Sequence, residues 1–261
     1  MSRPHADGSA GDFDYATVVG VYSRFRRPEP RIEALIDREL GDARTVVNVG
    51  AGAGSYEPLD RDVTPVEPSA SMRAQRPAWR ATAIDATAES LPFADDEFDA
   101  GMASFTVHQW SDLEAGLAEL RRVVRGPIVV LCGDPSRLTD IWINDYIPEV
   151  LATEVRRYPA LDRIAAGLGG ATEQVVVPIP LDCADGFTQA YYGRPEALLD
   201  EDARRANSSW SFVDDAVLTR FVETLTADLA SGEWDRRYGH LRTQPEFDAG
   251  IRLLVSRPEG R

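Results

Sequence analysis

Three features of this chain have residue types and spacing that can do chemistry. In "VVNVGAGAGSYEP" an apolar run ends in Gly50, Gly52 and Gly54. Glycine tolerates positive φ and has no side chain, so a ligand can lie against the backbone of such a turn. The pyrophosphate fingerprint is G-x-G-x-x-G opening a full helix. Here the third glycine comes one residue early and Pro58 follows soon after. A short, proline-interrupted helix is a poor anion site, so the turn fits a nucleotide held without its phosphates. The second feature is Glu67, which ends the next β-branched stretch, "DVTPVEP". A carboxylate there can accept hydrogen bonds from both hydroxyls of an adenosine ribose; the plainer reading is a tight turn beside a solvated glutamate. The third is His108 in "SFTVHQW". A neutral imidazole there can take a proton from a hydroxyl or amine, or simply pack under Trp110.

The elements that must position these residues alternate. "RIEALIDREL" places Ile32, Leu35, Ile36 and Leu40 on one helical face, with Gly41 as its stop. "TVVNV" reads as a buried strand and "DVTPVEP" as the next. A short helix follows with Ser69 as N-cap. "WRATAI", "FDAGMASF" and "PIVVLCG" supply further strands. Between the last two lies an amphipathic helix in which Ser111 and Glu114 have capping-box spacing. This alternation predicts an α/β fold: a doubly wound, mainly parallel sheet with helices on both faces and ligands at the strand C-terminal ends. After Gly133 the pattern turns helical and aromatic, apart from "TEQVVVPIPLD" and a last strand at about 250–256. The expectation is a tail at 1–13 and one domain at 14–261. Its core would span about 31–135, with a helical cap drawn from 136–248.

Composition narrows the function classes. The chain has 261 residues, a net charge of -15 and no lysine, all 28 basic residues being arginine. An acidic chain without a basic block is not expected to bind nucleic acid or an anionic membrane. Cys132 and Cys183 lie far apart, so neither a metal site nor a disulfide framework is expected. No apolar run reaches the ~20 residues of a membrane span, and the polar start has no apolar signal region. These readings place the protein in the cytoplasm and leave its oligomeric state open.

Taken in order, "VVNVGAGAGSYEP", "VTPVEPS", "TAESLPFADDEFDAGMASFTVHQWSD" and "LRRVVRGPIVVL" resemble the class I S-adenosylmethionine-dependent methyltransferases, in the small-molecule "methyltransferase 11"-like branch. The resemblance covers roughly residues 12 to 135 and implies a seven-stranded Rossmann-like sheet. It assigns S-adenosylmethionine as cofactor. Gly50, Ala51, Gly52 and Gly54 would line its methionine part, and Glu67 would hold the ribose. Thr87, Ala88 and Glu89 would lie beside the adenine, with Ser104 and Phe105 as pocket walls. Two positions depart from the family pattern. Asn48 stands where an acid is usual, and keeps an acceptor but no charge. Thr87 also replaces an acid. In the N-terminal segment, Tyr22 is the first choice for contact with the sulfonium, and Arg26 or Arg27 can meet a carboxylate.

On the substrate side, His108 is the candidate base, and Tyr15, Trp142, Tyr146 and Tyr191 suit a hydrophobic acceptor. The alternative for these aromatics is that they fill the core of the cap. The resulting expectation is methyl transfer to oxygen, nitrogen or carbon of a small molecule in secondary metabolism, with positioning supplying most of the rate. A methyltransferase-like protein that binds the cofactor structurally, or performs a cyclisation, is the alternative. A dinucleotide-dependent oxidoreductase is disfavoured by the early third glycine.

Overall fold

The structure, a computed structural model, describes residues 11–12 and 20–258. A short helix, α1 (Tyr22–Phe25), leads to α2 (Pro30–Leu40). Pro30 starts α2 where no donor is needed, and Gly41 ends it at φ 61°. Then come β1 (Thr45–Val49), β2 (Asp62–Val66), α3 (Ala70–Ala74), β3 (Ala100–Ser104), α4 (Leu113–Val123) and β4 (Ile128–Gly133). Helices α5 (Ile143–Tyr146), α6 (Pro148–Arg157) and α7 (Leu161–Leu168) precede β5 (Ala171–Val176). The remainder is β6 (Ile179–Pro180), α8 (Glu201–Arg205), α9 (Asp215–Ser231), α10 (Glu233–Tyr238), β7 (Glu246–Phe247) and β8 (Ile251–Arg257), with 3-10 turns between them.

The main sheet runs β2-β1-β3-β4-β8-β5. The first four strands are parallel, and β8 pairs antiparallel with both β4 and β5. Alternate residues of each strand face opposite sides. Val129 and Leu131 thus join the cluster beneath α2, while Val130 and Cys132 join the one beneath α4 and α7. The α2-side cluster continues into the later helices through Trp142, Trp210, Phe221 and Trp234.

Two expectations need correction. The sheet has six strands, not seven, because "WRATAI" contributes one bridge, Ile84 to Val66. Of its residues only Ala83 is buried, so little apolar surface holds an extended pairing at that edge. The cap of α4 is Asp112, whose carboxylate accepts from the Ala115 N–H at 3.0 Å. Ser111 instead donates its N–H and hydroxyl to Glu89, at 2.8 and 2.9 Å. Ser69 does cap α3, accepting from the Met72 N–H at 3.2 Å.

Asp99 fastens the start of β1 to β3. Its Oδ2 accepts from the N–H groups of Thr45 and Arg44, both at 2.9 Å, and Arg125 pairs with its Oδ1 at 2.5 Å. These backbone donors, Thr45 first, hold its carboxyl down to about 2. The folded value lies below the unfolded one, so this stabilisation is present above about pH 4 and is lost as pH falls toward 2. Partial exposure limits it to about 1–2 kcal/mol. Asp99→Asn should lower the melting temperature at pH 7, and wild type and variant should converge near pH 2 in thermal melts.

Candidate functional site

The strand C-terminal edge is opened by a turn after β1. Gly50 and Ala51 both donate N–H to the Val66 carbonyl at 2.9 Å, pinning the turn to the end of β2. Gly50 (φ 74°) could carry no side chain, since its Cβ would fall 2.0 Å from Thr106 Oγ1. Gly52 (φ 52°) faces Met72, 3.2 Å from where a Cβ would be. Gly54 (φ 96°) does different work: a Cβ there would lie 2.6 Å from Arg80, so this glycine admits the arginine behind the turn.

Behind the turn sits Glu57, buried and met by three partners. Asn48 Nδ2 donates to Oε1 at 3.0 Å, Arg76 bonds both oxygens at 3.0 and 2.8 Å, and Arg80 reaches Oε2 at 3.2 Å. This explains Asn48. A carboxylate at that position would sit at hydrogen-bond distance from another buried carboxylate, whereas the amide donates to it. The other amide atom, Asn48 Oδ1, is buried and has no hydrogen-bond partner among the described residues.

The cleft in front of the turn is lined by Tyr22, Asn48, Gly50, Ala51, Gly52, Glu67, Ala88, Glu89, Ser104 and Phe105. The sequence-predicted cofactor set is therefore brought together, with Gly54 and Thr87 as the exceptions. Thr87 instead sits against the Glu89 carboxylate. Sequence reasoning missed Ser69, Met72, Thr106, Gln109 and Trp110, which also line the cleft. Glu67 accepts from the Gly52 N–H at 2.7 Å and the Ser69 N–H at 2.8 Å. Burial pushes its carboxyl up, opposed by those two N–H groups and by Arg73 and Arg76. Each oxygen keeps a lone pair for a ligand hydroxyl. Phe105 closes the wall at φ 52°, a strained conformation for a bulky residue, held by its N–H to the Leu131 carbonyl at 2.8 Å.

A second chamber adjoins the cleft. Tyr22 and Phe105 line both. Its other walls include Arg26, His108, Glu154, Arg157, Tyr158, Phe187 and Gln189. Arg26 bonds Asp185 through Nε at 2.6 Å and lies over the Phe105 ring at 5.4 Å. Tyr56 donates to the same Asp185 at 2.8 Å, so one buried aspartate joins the N-terminal segment, the glycine turn and the later helices. His108 stands in this chamber rather than the cleft, its ring 4.4 Å from that of Tyr158. Burial, then Arg157 and Arg26, depress its pKa well below the ordinary 6.5, so the imidazole is neutral and a weak base. Its Nδ1 has no hydrogen-bond partner among the described residues.

The predicted substrate aromatics fall elsewhere. Trp142 is buried, donates to the Tyr192 carbonyl at 2.8 Å and packs edge-on to Trp234. Tyr146 bonds Asp228 at 2.7 Å, and Tyr191 is buried beneath Arg194. These three line neither cavity. Tyr15 lies outside the described residues.

The residues of the cleft suit S-adenosylmethionine. The orphaned Asn48 acceptor matches an ammonium donor, the glycine turn leaves room for an aliphatic chain, and Glu67 has capacity for ribose hydroxyls.

Comparisons with known proteins agree with this geometry. The methyltransferase domain family matches residues 47–127. A putative methyltransferase from an antibiotic biosynthesis pathway of Anabaena variabilis ATCC 29413 is 30% identical in sequence. Its structure superposes with a TM-score of 0.84, over 90% of this chain and 99% of that one. The [4+2]-cyclase SpnF shares the fold at 16% identity and a TM-score of 0.52, covering 94% of this chain and 92% of its own. Among curated relatives, the uncharacterized methyltransferase YcgJ of Bacillus subtilis (strain 168) is 31% identical over 91 residues, which are 31% of this chain and 36% of that protein. The chain spans about a third of the length of the curated relatives it matches, 36% in each case.

Asn48→Asp should destabilise the fold by about 1–3 kcal/mol, a fall of roughly 2–10 °C in melting temperature for a chain of this size. Adding Glu57→Gln should recover part of that loss relative to Glu57→Gln alone, which a double-mutant cycle of melts would show.

Proposed function

This chain belongs to the class I S-adenosylmethionine-dependent methyltransferases, and we propose that it transfers a methyl group to a small-molecule acceptor bound in the second chamber. The observation that carries this reading is the shared wall: Tyr22 and Phe105 border both the cleft that suits the cofactor and the chamber beside it. Bound in the cleft, S-adenosylmethionine would supply an electrophilic methyl group for in-line attack by the acceptor's nucleophile.

The protein's own contribution is placement. Glu67 and the backbone at Ala88 and Glu89 would hold the adenosine. Asn48 and the glycine turn would hold the amino-acid end, and Tyr22 would face the sulfonium. Phe105, fixed in its strained conformation, would keep water from the transfer point. Positioning of this kind supplies up to ~7–11 kcal/mol of a barrier. His108, neutral and weakly basic, would act as a hydrogen-bonding guide for the acceptor more than as a strong base. The similarity to a protein of an antibiotic pathway supports a role in secondary metabolism. No helix among the described residues is long and apolar enough to cross a membrane; the acidic composition supports a role without nucleic acid as partner, and two cysteines without a pairing signal support a cytoplasmic site of action. The fold shared with a cyclase keeps non-methylating chemistry as the competing reading.

Glu67→Ala should weaken S-adenosylmethionine binding about tenfold or more in calorimetry, and unchanged affinity would remove the ribose assignment. His108→Ala should slow methyl transfer roughly tenfold while leaving donor affinity within about twofold. Because His108 is neutral well below pH 6.5, the wild-type kcat/KM profile should show no limb from it between pH 6.5 and 8. A limb in that window that vanishes in His108→Ala would restore the base. Tight donor binding with no methylated product from a broad acceptor panel would favour the cyclase-like reading.

A further inference from the structure

Glu154 sits in the second chamber as a buried carboxylate with no direct ion pair, feeling Arg157 only at longer range. It belongs to α6, and its residue is only 8% exposed. Its carboxylate accepts from Gln189 Nε2 at 2.5 Å and from the Ser209 hydroxyl at 2.9 Å, both neutral donors. Among the described residues no cation lies within ion-pair distance of it. The two arginines of the chamber are committed elsewhere. Arg26 is paired with Asp185, and Arg157 bonds Asp12 through two nitrogens at 2.8 and 2.7 Å. A buried, unpaired carboxylate is costly, and this one borders a cavity walled by aromatic rings, Phe105, Tyr158 and Phe187. Such walls attract cations.

We infer that Glu154 anchors a positively charged nitrogen of the methyl acceptor, so that the chamber selects small amines over neutral or acidic molecules of the same shape. This deepens the proposed methyl transfer and rests on it. Glu154 lines the second chamber and not the cleft, whereas Tyr22 and Phe105 border both. In this reading the anchored nitrogen stays in the chamber, and a different atom of the acceptor receives the methyl group. Burial pushes the Glu154 carboxyl up, opposed by the hydrogen bonds from Gln189 and Ser209 and by Arg157, and an arriving cation would pull it further toward its ionised form. Gln189 and Ser209, reaching it from two separate 3-10 turns, fix its direction.

The test compares three probes with one ring and different tails: tyramine, 4-ethylphenol and 3-(4-hydroxyphenyl)propionate. Binding to the full chain is measured by calorimetry, with and without S-adenosylhomocysteine. Tyramine should bind about tenfold or more tightly than either of the others. Glu154→Gln, which keeps the shape and removes the charge, should abolish that preference while leaving S-adenosylhomocysteine affinity unchanged. Equal or tighter binding of the propionate by wild type overturns the inference, and so does no tyramine binding at millimolar concentration. So does a Glu154→Gln variant that retains the preference. The wild-type comparison stands even if the variant does not fold. Failure of S-adenosylhomocysteine to bind, with the tyramine preference intact, would overturn the methyl-transfer reading instead.

Discussion

A single buried carboxylate, Glu57, underlies the geometry of the ligand edge. Two guanidinium groups and the Asn48 amide converge on it, tying the cleft wall at Asn48 to charges packed against the glycine turn. Charges taken out of water are tolerated only when their partners are well placed, and removing one partner leaves the rest exposed to the full desolvation cost. The cluster therefore resists small displacements. Gly54 is glycine because Arg80 needs its space, and Asn48 is an amide because Glu57 needs a donor. The cleft-lining features follow: Asn48 Oδ1 is left without a partner among the described residues, and Gly50 and Gly52 are held against Thr106 and Met72.

A second buried acid, Asp185, does for the chamber what Glu57 does for the cleft. It gathers Arg26 and Tyr56, residues far apart in the chain, and the Arg26 guanidinium lies over the rings of both Tyr22 and Phe105. The wall between the two cavities is thus set by ionic anchoring on one side and by backbone strain at Phe105 on the other. Neither depends on the identity of the acceptor, which leaves the rest of the chamber free to specialise.

Much of this was legible in the sequence because it depends on local rules. The alternation of β-branched runs with amphipathic helices gave the parallel sheet. The Gly-x-Gly turn and an acid at the end of the next strand gave the cleft, since both follow strand ends whose direction the fold dictates. What escaped depends on contacts between distant segments. Glu57 reads as a loop glutamate until Arg76 and Arg80 are seen to close on it. Glu154 reads as one more charge on a helix, and only turns near residues 189 and 209 bury it. Trp142, Tyr146 and Tyr191 signal an apolar interior by type, but nothing in their spacing says that they face the packed core rather than a cavity. The strand at Ile84 failed because a pattern of small and polar residues resembles an edge strand without supplying the burial to hold one.

The position of β8 bears on how such a chain can be assembled. Among the described residues it is the last strand, yet it lies inside the sheet, paired to β4 on one side and β5 on the other. During synthesis from the amino end, β4 and β5 both emerge before the strand that separates them. Until β8 arrives, each has an unpaired edge able to recruit a neighbouring chain. The parallel half with the glycine turn can form early from shorter-range pairings, whereas closure of the sheet must wait for contacts of long sequence separation, which are slow to form. Premature pairing of β4 with β5 would shut β8 out. No residue of β5 is fully buried, and it carries Thr172 and Gln174 on one face and Glu173 on the other, which gives that wrong pairing little apolar area to gain.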